Sequence, residues 1–440
     1  MTIRPALMAL LLAAVPLVPV QAHAGVAPVP AAQAVVPRVP GQTHAGVAPV
    51  PAAQAMIPRV PAQADRAVAC AGPSDFDGDG ADDMVVGDPF ADDGKGAVHV
   101  VSGDKAVPVT VPELAEGDAF GWSVRLANVN ADACADLVIG APYTDVNGSK
   151  DAGAAYVVYG GGAAPPLRLV AAEAQRGARL GWSLAARGDL VAIGAPYEDD
   201  GPIADAGSVY VRKGAGELRR ISQQSVDVRG NSEVGDQFGW SLAMGPGNGL
   251  VVGVPYENDD GAGQQVALGK VDSGSVVVLT DVLAGKLAST KLDSPTSRSG
   301  DRYGYAVAWI DRAGPAVGAP GAGYVQLYDI KLAAKAKVQE AGEQAFGFSL
   351  AASADGRLAI GAPFGGGVRI VSAADGADDR RFPPAAGLFG YGLAFSGNKL
   401  VIGQPDGPPY GTVTIAARNS DSLQPVRPAK GADFGVSVAG

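Results

Sequence analysis

The sequence predicts an all-β fold in which seven similar sheets close into a ring. Two short motifs alternate along the chain, a Phe-Gly-like step and a Gly-Ala-Pro-like step. The first step begins at Phe120, Leu180, Phe238, Tyr303, Phe346, Phe389 and Phe434. The second begins at Gly87, Gly140, Gly194, Gly253, Gly318, Gly361 and Gly403. The series starts with an unpaired second step and ends with an unpaired first step, as expected if the last strand completes the first sheet.

The register of the two chain ends supports this closure. Phe120 lies eight residues before Asn128, which opens an acidic loop, and Phe434 lies eight positions before Asp75 if Gly440 is joined to Ser74. Repeats of about forty residues that each form one small sheet are typical of a β-propeller. We therefore predict a seven-bladed β-propeller over residues 67–440, with four-stranded antiparallel blades and a C-terminal strand that closes the first blade.

Each repeat contains four segments with strand patterns. In the second repeat these segments begin at Trp122, Asp136, Ala154 and Leu167. They are rich in β-branched residues, they alternate in polarity, and clusters of Gly, Pro and Asp separate them, which indicates strands joined by turns. The glycines of the two steps let neighbouring blades approach closely. We expect the adjacent tryptophans to pack between blades.

The first 66 residues have a different composition. Residues 1–24 carry one Arg, a short apolar stretch and a small-x-small end, which predicts a secretory signal peptide, with a membrane anchor as the alternative. Residues 25–66 contain an 18-residue duplication rich in Pro and Ala (residues 23–40 recur as 44–61), which predicts an extended or disordered linker. The linker would serve as a surface tether or as an inert spacer. We expect a secreted, extracellular monomer without a membrane span.

The cysteine count fits an oxidising compartment. Cys70 precedes the acidic loop of the first blade, and Cys134 lies inside the equivalent loop of the adjacent blade. An even count in a secreted chain predicts one disulfide between these residues. Two free thiols are the alternative.

Two loops have the residue types and spacing of calcium ligands. Carboxylate or amide oxygens at positions one, three, five and nine, with a backbone carbonyl at seven, can surround a hard cation. The first loop supplies Asp75, Asp77, Asp79, Ala81 and Asp83. The second supplies Asn128, Asn130, Asp132, Cys134 and Asp136, with fewer charges. No Glu follows at position twelve, so the loops connect strands and are not EF-hands. Solvated acidic turns are the alternative.

A second acidic cluster follows the Gly-Ala-Pro steps of three neighbouring repeats. These loops connect the second and third strands and should lie on the face opposite the calcium loops. One tyrosine and one or more acidic residues in each loop would suit a cationic or hydroxylated ligand. The candidate residues are Tyr143, Asp145, Tyr197, Asp199, Tyr256 and Asp259. Ordinary solvated turns at the rim are the alternative.

Composition argues against two classes of function. The net charge of −11, without any Lys/Arg cluster, disfavours nucleic acid as a partner. Only three histidines are present, and two of them precede residue 67, which leaves little for a Ser-His-Asp relay or a histidine zinc site. A pair of loop carboxylates could still serve a glycosidase.

The repeated steps and the acidic loops resemble the FG-GAP repeats of integrin α-subunit propellers and of secreted bacterial proteins with integrin-like domains. The resemblance covers about residues 67–440. It implies seven blades with each first strand at the axis, and calcium bound at Asp75, Asp77, Asp79 and Asp83, with a weaker set from Asn128 to Asp136. The family also includes enzymes that join such a propeller to a catalytic domain, for example glycosylphosphatidylinositol-specific phospholipase, and we find no such domain in this sequence.

These observations predict a calcium-stabilised binding or adhesion module for an extracellular protein or glycan. The alternative is an extracellular hydrolase or lyase that acts on polysaccharide through loop carboxylates.

Overall fold

The computed structural model describes residues 70–102, 105–109, 111–162, 164–258, 269–340, 345–385, 387–418, 420, 423–428 and 430–440. The chain divides into two units, Met1–Ala64 and Asp65–Gly440, and every described residue belongs to the second. The predicted signal peptide and duplicated linker, together with residues 67–69, therefore lie outside the described residues.

The second unit is built from short strands. In chain order they are β1 (Met84–Asp88), β2 (Ala97–Ser102), β3 (Lys105–Val109), β4 (Ser123–Ala127), β5 (Asp136–Ala141), β6 (Ala154–Val158), β7 (Leu167–Leu169), β8 (Ser183–Arg187), β9 (Leu190–Ala195), β10 (Ser208–Lys213), β11 (Arg219–Ile221), β12 (Ser241–Met244), β13 (Leu250–Val254) and β14 (Ser275–Leu279). They continue with β15 (Ser289–Asp293), β16 (Ala306–Ile310), β17 (Gly314–Ala319), β18 (Tyr324–Tyr328), β19 (Ala334–Gln339), β20 (Ser349–Ala352), β21 (Arg357–Ala362), β22 (Gly367–Ser372), β23 (Asp378–Phe382), β24 (Leu393–Ser396), β25 (Lys399–Gln404), β26 (Thr412–Ala417), β27 (Leu423–Val426) and β28 (Ser437–Ala439). Two single helical turns accompany them, Ala91–Gly94 and Gly160–Gly162.

The strands form seven antiparallel sheets of four. The first sheet has the order β28-β1-β2-β3, and the others each take four consecutive strands, from β4-β5-β6-β7 to β24-β25-β26-β27. The first strand of each sheet contacts the first strand of the next, and β28 contacts both β24 and β4, so the series closes. The predicted seven-bladed β-propeller is confirmed.

The two chain ends meet in the first blade. Strand β28 pairs with β1 in an antiparallel register in which Ala439 faces Val85. The backbone N–H groups of Ala432 and Asp433 donate to the Asp88 carboxylate at 3.0 and 2.9 Å. The C-terminal segment therefore completes the blade that begins near Asp75, as the register of the sequence predicted.

The glycine steps are where adjacent blades touch. A Cβ added at Gly140, in the Gly-Ala-Pro step of blade two, would overlap the carbonyl oxygen of Gly181, in the Phe-Gly-like step of the next blade. Gly181 itself has a φ of 93°, a conformation that favours glycine. The hydroxyl of Ser123 donates to the same carbonyl at 2.8 Å, and Ser183 donates to the Gly239 carbonyl in the same way. Blade contact thus requires glycine on both sides.

The hydrophobic core lies between blades. One cluster joins Val86 of β1 to Val401 and Val413 of blade seven, and Phe434 is buried within it. The aromatic residue of the Phe-Gly step is fully buried at Phe120, Phe238 and Phe434. Burying a phenylalanine side chain contributes about 1.5–3 kcal/mol, so these repeated residues hold neighbouring sheets together.

Candidate metal centre and ligand face

The first acidic loop brings three of its predicted ligands together. Asp75, Asp77 and Asp83 each offer a carboxylate oxygen within 4.8 Å of the others. Asp75 and Asp83 are 0% exposed, whereas Asp77 is exposed. The fourth predicted carboxylate, Asp79, accepts N–H of Ala81 at 2.8 Å and lies outside this group of three. The loop therefore forms a small cage of carboxylate oxygens that opens to solvent on one side.

Backbone N–H groups fix the two buried carboxylates. Asp75 accepts N–H of Gly78 at 2.8 Å and of Gly80 at 3.1 Å, and the glycines turn the loop with φ of 77° and 89°. One oxygen of Asp83, Oδ2, accepts N–H of Phe76 at 2.9 Å. The other, Oδ1, is buried and has no hydrogen-bond partner among the described residues.

The unpaired oxygen of Asp83 indicates that a cation would fit in the first acidic loop. Burial raises the pKa of Asp83 to about 6, and the Asp77 charge adds to the rise. A buried carboxylate with one unpaired oxygen is unfavourable unless a cation or proton neutralises it. A donor set of hard carboxylate oxygens suits Ca²⁺. The residues of the first loop therefore fit the predicted ion.

The second loop, in blade two, is held by its own hydrogen bonds. Asn128 Nδ2 donates to the Asp132 carbonyl at 2.5 Å, and Asn130 Nδ2 donates to the Asp132 carboxylate at 2.7 Å. Asp136, which corresponds to Asp83, accepts N–H groups on both carboxylate oxygens, including Gly160 N–H at 2.9 Å. The Asn128 side-chain oxygen is buried without a partner. This loop leaves fewer oxygens for a cation than the first.

A disulfide joins the two loops. Cys70 and Cys134 are bonded, with their Cα atoms 5.0 Å apart and a sequence separation of 64. The residue after Cys70, Ala71, donates its N–H to Asp75 Oδ2 at 2.8 Å, and Ala135 N–H donates to the Asp75 carbonyl at 2.9 Å. The predicted disulfide is confirmed, and it holds both chain segments that contact Asp75.

The opposite face of the propeller carries a chain of aromatic side chains. The residue after each Phe-Gly-like step lies near the axis, and neighbouring rings have centroids 4.8–5.3 Å apart through Trp122, Trp182, Trp240, Tyr305, Phe348 and Tyr391. The aromatic residue after the Gly-Ala-Pro-like step contacts this chain edge-on in five blades, at Phe90, Tyr143, Tyr197, Tyr256 and Phe364. We call this surface the aromatic face.

The predicted acidic residues of the aromatic face serve first as turn caps. Asp145 accepts N–H of Asp151 at 2.9 Å, and Asp199 accepts N–H of Asp205 at 3.0 Å. In blade four the same position is held by Asn258, which accepts N–H of Asp272 at 2.9 Å. The predicted Asp259 lies outside the described residues. The capped residues are themselves aspartates: Asp205 is exposed, and Asp151 and Asp272 are half-buried.

Burial and neighbouring charges act on these three aspartates. Burial raises the pKa of Asp205, the Asp199 charge adds to the rise, and Arg179 opposes it. Burial also raises the pKa of Asp272, which Arg302 opposes. Each carboxylate therefore lies within the electrostatic reach of an arginine on the same face.

Both arginines lie over tyrosine rings. The guanidinium carbon of Arg179 is 4.1 Å from the centroid of the Tyr197 ring and 5.1 Å from that of Tyr143. The guanidinium carbon of Arg302 is 5.5 Å from the centroid of the Tyr256 ring. Each contact contributes roughly 0.5–2 kcal/mol through the ring quadrupole. The tyrosine ring faces are thus already covered by cations of the same chain.

Comparison with known proteins agrees with this architecture. Models of the FG-GAP repeat match residues 120–158 and 167–212. The chain is an FG-GAP repeat, integrin-like β-propeller protein. Integrin alpha-PS2 of Drosophila melanogaster is 32% identical over 190 residues, which are 39% of this chain and 13% of that protein. Integrin alpha-7 of Homo sapiens is 31% identical over 175 residues, which are 36% of this chain and 14% of that protein.

A third similar protein is a phospholipase. Phosphatidylinositol-glycan-specific phospholipase D of Rattus norvegicus is 29% identical over 188 residues, which are 38% of this chain and 21% of that protein. The matches thus span about a fifth or less of the length of these relatives. Among solved structures, virginiamycin B lyase from Staphylococcus aureus has a TM-score of 0.49 at 8% identity, covering 70% of this chain and 85% of that one. We infer nothing about activity from this likeness.

The third histidine of the sequence lies within the FG-GAP propeller. His99 is 5% exposed, and its ring packs against Phe434 with centroids 5.2 Å apart, so it lies in the core and away from both faces. Burial lowers the pKa of His99 to about 4. Within the described residues, no helix has the length and apolar composition needed to cross a membrane.

The sequence reasoning missed the arginines of the FG-GAP propeller. Arg179 and Arg302 stand directly before their Phe-Gly-like steps. The signal in the sequence is a polar side chain at this position in three neighbouring repeats, with Gln237 as the third.

Proposed function

We propose that the protein is an extracellular binding or adhesion module whose fold is stabilised by calcium in the first acidic loop. The integrin-like FG-GAP propeller fits such a module. The observation that carries the metal assignment is the convergence of Asp75, Asp77 and Asp83 around the unpaired Asp83 Oδ1. The disulfide and the likeness to integrins support an extracellular location.

Calcium would act on stability and not on chemistry. Asp75, Asp77 and Asp83 would hold the ion, and its charge would offset the burial of two carboxylates. We assign the second loop a weaker affinity or none, because Asn128 and Asn130 replace two carboxylates. In addition, Asp136 accepts N–H groups on both oxygens, whereas its counterpart Asp83 has one oxygen unpaired. A ligand that binds only the folded state adds about 2.7 kcal/mol of stability at a concentration one hundred times its Kd.

The test is thermal unfolding of the full chain with calcium and with a chelator. We expect chelation to lower the Tm of the natural protein and to leave the Tm of Asp83→Asn unchanged. The matched control is Asp136→Asn, at the same position of the second loop, which should respond to chelation as the natural protein does. Identical melting curves of the natural protein with and without chelator would remove the calcium assignment.

The binding role needs a separate experiment. The full chain would be screened against extracellular proteins and polysaccharides, with product formation followed in parallel. Saturable binding without product supports a binding module. Turnover of a polysaccharide that is lost when one loop carboxylate is replaced would instead support the hydrolase or lyase.

A further inference from the structure

Three neighbouring blades place a polar side chain at the same point of the aromatic face. Arg179, Gln237 and Arg302 each precede a Phe-Gly-like step and adopt the left-handed conformation, with φ of 57°, 58° and 52°. This conformation is uncommon for residues other than glycine, and its repetition gives the three side chains equivalent positions. In three of the other repeats the position is apolar, at Ala119, Ala345 and Leu388, and in the last it is acidic, at Asp433. One sector of the ring therefore carries the two cationic side chains at this position.

The two guanidinium groups of this sector are held without hydrogen bonds. Within the described part of the chain, the side chains of Arg179 and Arg302 donate no hydrogen bond and form no ion pair. The Nε atoms of both are buried and unpaired, and so is the side-chain oxygen of Gln237. Contacts with Tyr197 and Tyr256 orient the planar groups instead. The Nη groups, which are not among the buried atoms, are therefore the N–H donors that are oriented in advance for a ligand.

The arginines that lie over the tyrosine rings favour a ligand with a negative charge. Because Arg179 and Arg302 already occupy the ring faces, a second cation would meet like charge there. A group with acceptor oxygens would instead receive charge-assisted hydrogen bonds, and a carboxylate matches the planar fork of a guanidinium. The sequence suggested a cationic or hydroxylated ligand. The arginines of this sector favour a carboxylate-bearing ligand over a cationic one.

The surrounding carboxylates narrow the choice further. Asp151 and Asp205 lie within electrostatic reach of Arg179, and Asp272 lies within reach of Arg302. These aspartates would repel a ligand of dense negative charge and accept hydrogen bonds from hydroxyl groups. Aromatic rings beside them offer apolar contact area for the flat face of a sugar. A uronic acid combines a carboxylate, hydroxyl groups and a sugar ring.

We propose that Arg179 and Arg302 bind the carboxylates of an acidic glycan on the aromatic face, while the neighbouring aspartates accept hydrogen bonds from its hydroxyl groups. This assignment rests on the proposed binding function and names the ligand class of the same module. It places recognition in blades two to five, away from the disulfide and the calcium loops on the opposite face.

The experiment measures binding of a galacturonate trisaccharide to the full chain by calorimetry, at fixed calcium concentration. The methyl ester of the same trisaccharide is the uncharged control ligand. We expect saturable binding of the acid, loss of most affinity for the ester, and a decrease of roughly tenfold to a hundredfold for Arg179→Gln or Arg302→Gln. The control variant is Arg212→Gln, on β10, whose side chain donates to the carbonyl of Gly216 in the turn that follows this strand. Its affinity should be unchanged.

The outcomes separate the proposals. Equal affinity for acid and ester, or no loss in the two arginine variants while their Tm stays that of the natural protein, would overturn the carboxylate site. Binding of a short poly-glutamate peptide in place of the sugar, with the same dependence on Arg179 and Arg302, would overturn the glycan class. Saturable binding of some other ligand that ignores both arginines would uphold the binding module and refute this inference.

Discussion

Removing the disulfide should destabilise the propeller by a predictable amount. The bond between Cys70 and Cys134 closes a loop of 64 residues that contains the whole first blade except its C-terminal strand. In the chain-entropy model, a loop of this length restricts the unfolded chain by about 14.5 cal/mol/K, or about 4 kcal/mol at 25 °C. We therefore expect Cys70→Ala to lower the free energy of unfolding by about 4 kcal/mol.

Single and double variants distinguish the cross-link from local packing. Either substitution alone breaks the same bond, so Cys70→Ala, Cys134→Ala and the double variant should lose nearly equal amounts. The assay is denaturant unfolding of the three variants and of the oxidised natural protein, with the chelator present so that calcium does not contribute. The reduced natural protein is the control and should behave like the variants.

The disulfide also bears on the first acidic loop. Ala71, next to Cys70, donates to Asp75, and Ala135, next to Cys134, donates to the Asp75 carbonyl. Loss of the bond should therefore weaken calcium affinity as well as stability. A loss of stability below about 1 kcal/mol, or additive losses in the double variant, would refute the account of the bond as a restraint on the unfolded chain.

Three further changes test other parts of the structure. Gly140→Ala adds a methyl group against a backbone carbonyl of the next blade and should cost about 1–3 kcal/mol or more in denaturant unfolding. Gly285→Ala, whose added Cβ meets nothing within 4 Å, should be near neutral, and equal effects would contradict the close approach of blades. The pKa of Asp236 is raised to about 8 by burial and by the Glu257 charge. The folded state thus binds more protons than the unfolded state above pH 4, so this group makes stability fall as pH rises toward 8. Asp236→Asn should flatten that fall between pH 5 and 8.5, and an unchanged pH profile of unfolding would show otherwise. Deletion of Ala432–Gly440 removes β28 and should abolish cooperative thermal unfolding of the ring; an unchanged transition would argue against closure.

The fold was predictable because the same physical requirement recurs seven times. Each blade contact needs a glycine on both sides, as at Gly140 and Gly181. The glycines therefore recur once in every repeat of the sequence. The offset of the two motifs then indicated that Phe434 belongs to the blade of Asp75. The disulfide could be placed for a related reason, since Cys70 directly precedes the acidic loop of one repeat and Cys134 lies inside the acidic loop of the adjacent repeat.

The aromatic face was less predictable from the sequence because its polar residues serve two purposes. Asp145 and Asp199 looked like ligand residues, but each caps the turn that presents the next aspartate. In blade four Asn258 takes that position, which an argument from acidic charge passes over in favour of Asp259. The orientation of Arg179 depends on a left-handed backbone and on rings from two blades, which no local pattern in the sequence reveals.

The disulfide, the three-carboxylate cage and the contacts of the C-terminal segment all lie near one part of the ring. A closed ring made from one chain has a single junction where covalent continuity is absent, and here it falls in blade one, between β28 and β1. The side-chain contacts that compensate gather there: Lys430 pairs with Asp92 at 2.6 Å, and the Asp88 carboxylate accepts two N–H groups of the C-terminal segment. The disulfide and the three-carboxylate cage are found at the border of blades one and two. Fraying at a chain end lowers local stability, so cross-links are most effective next to the junction.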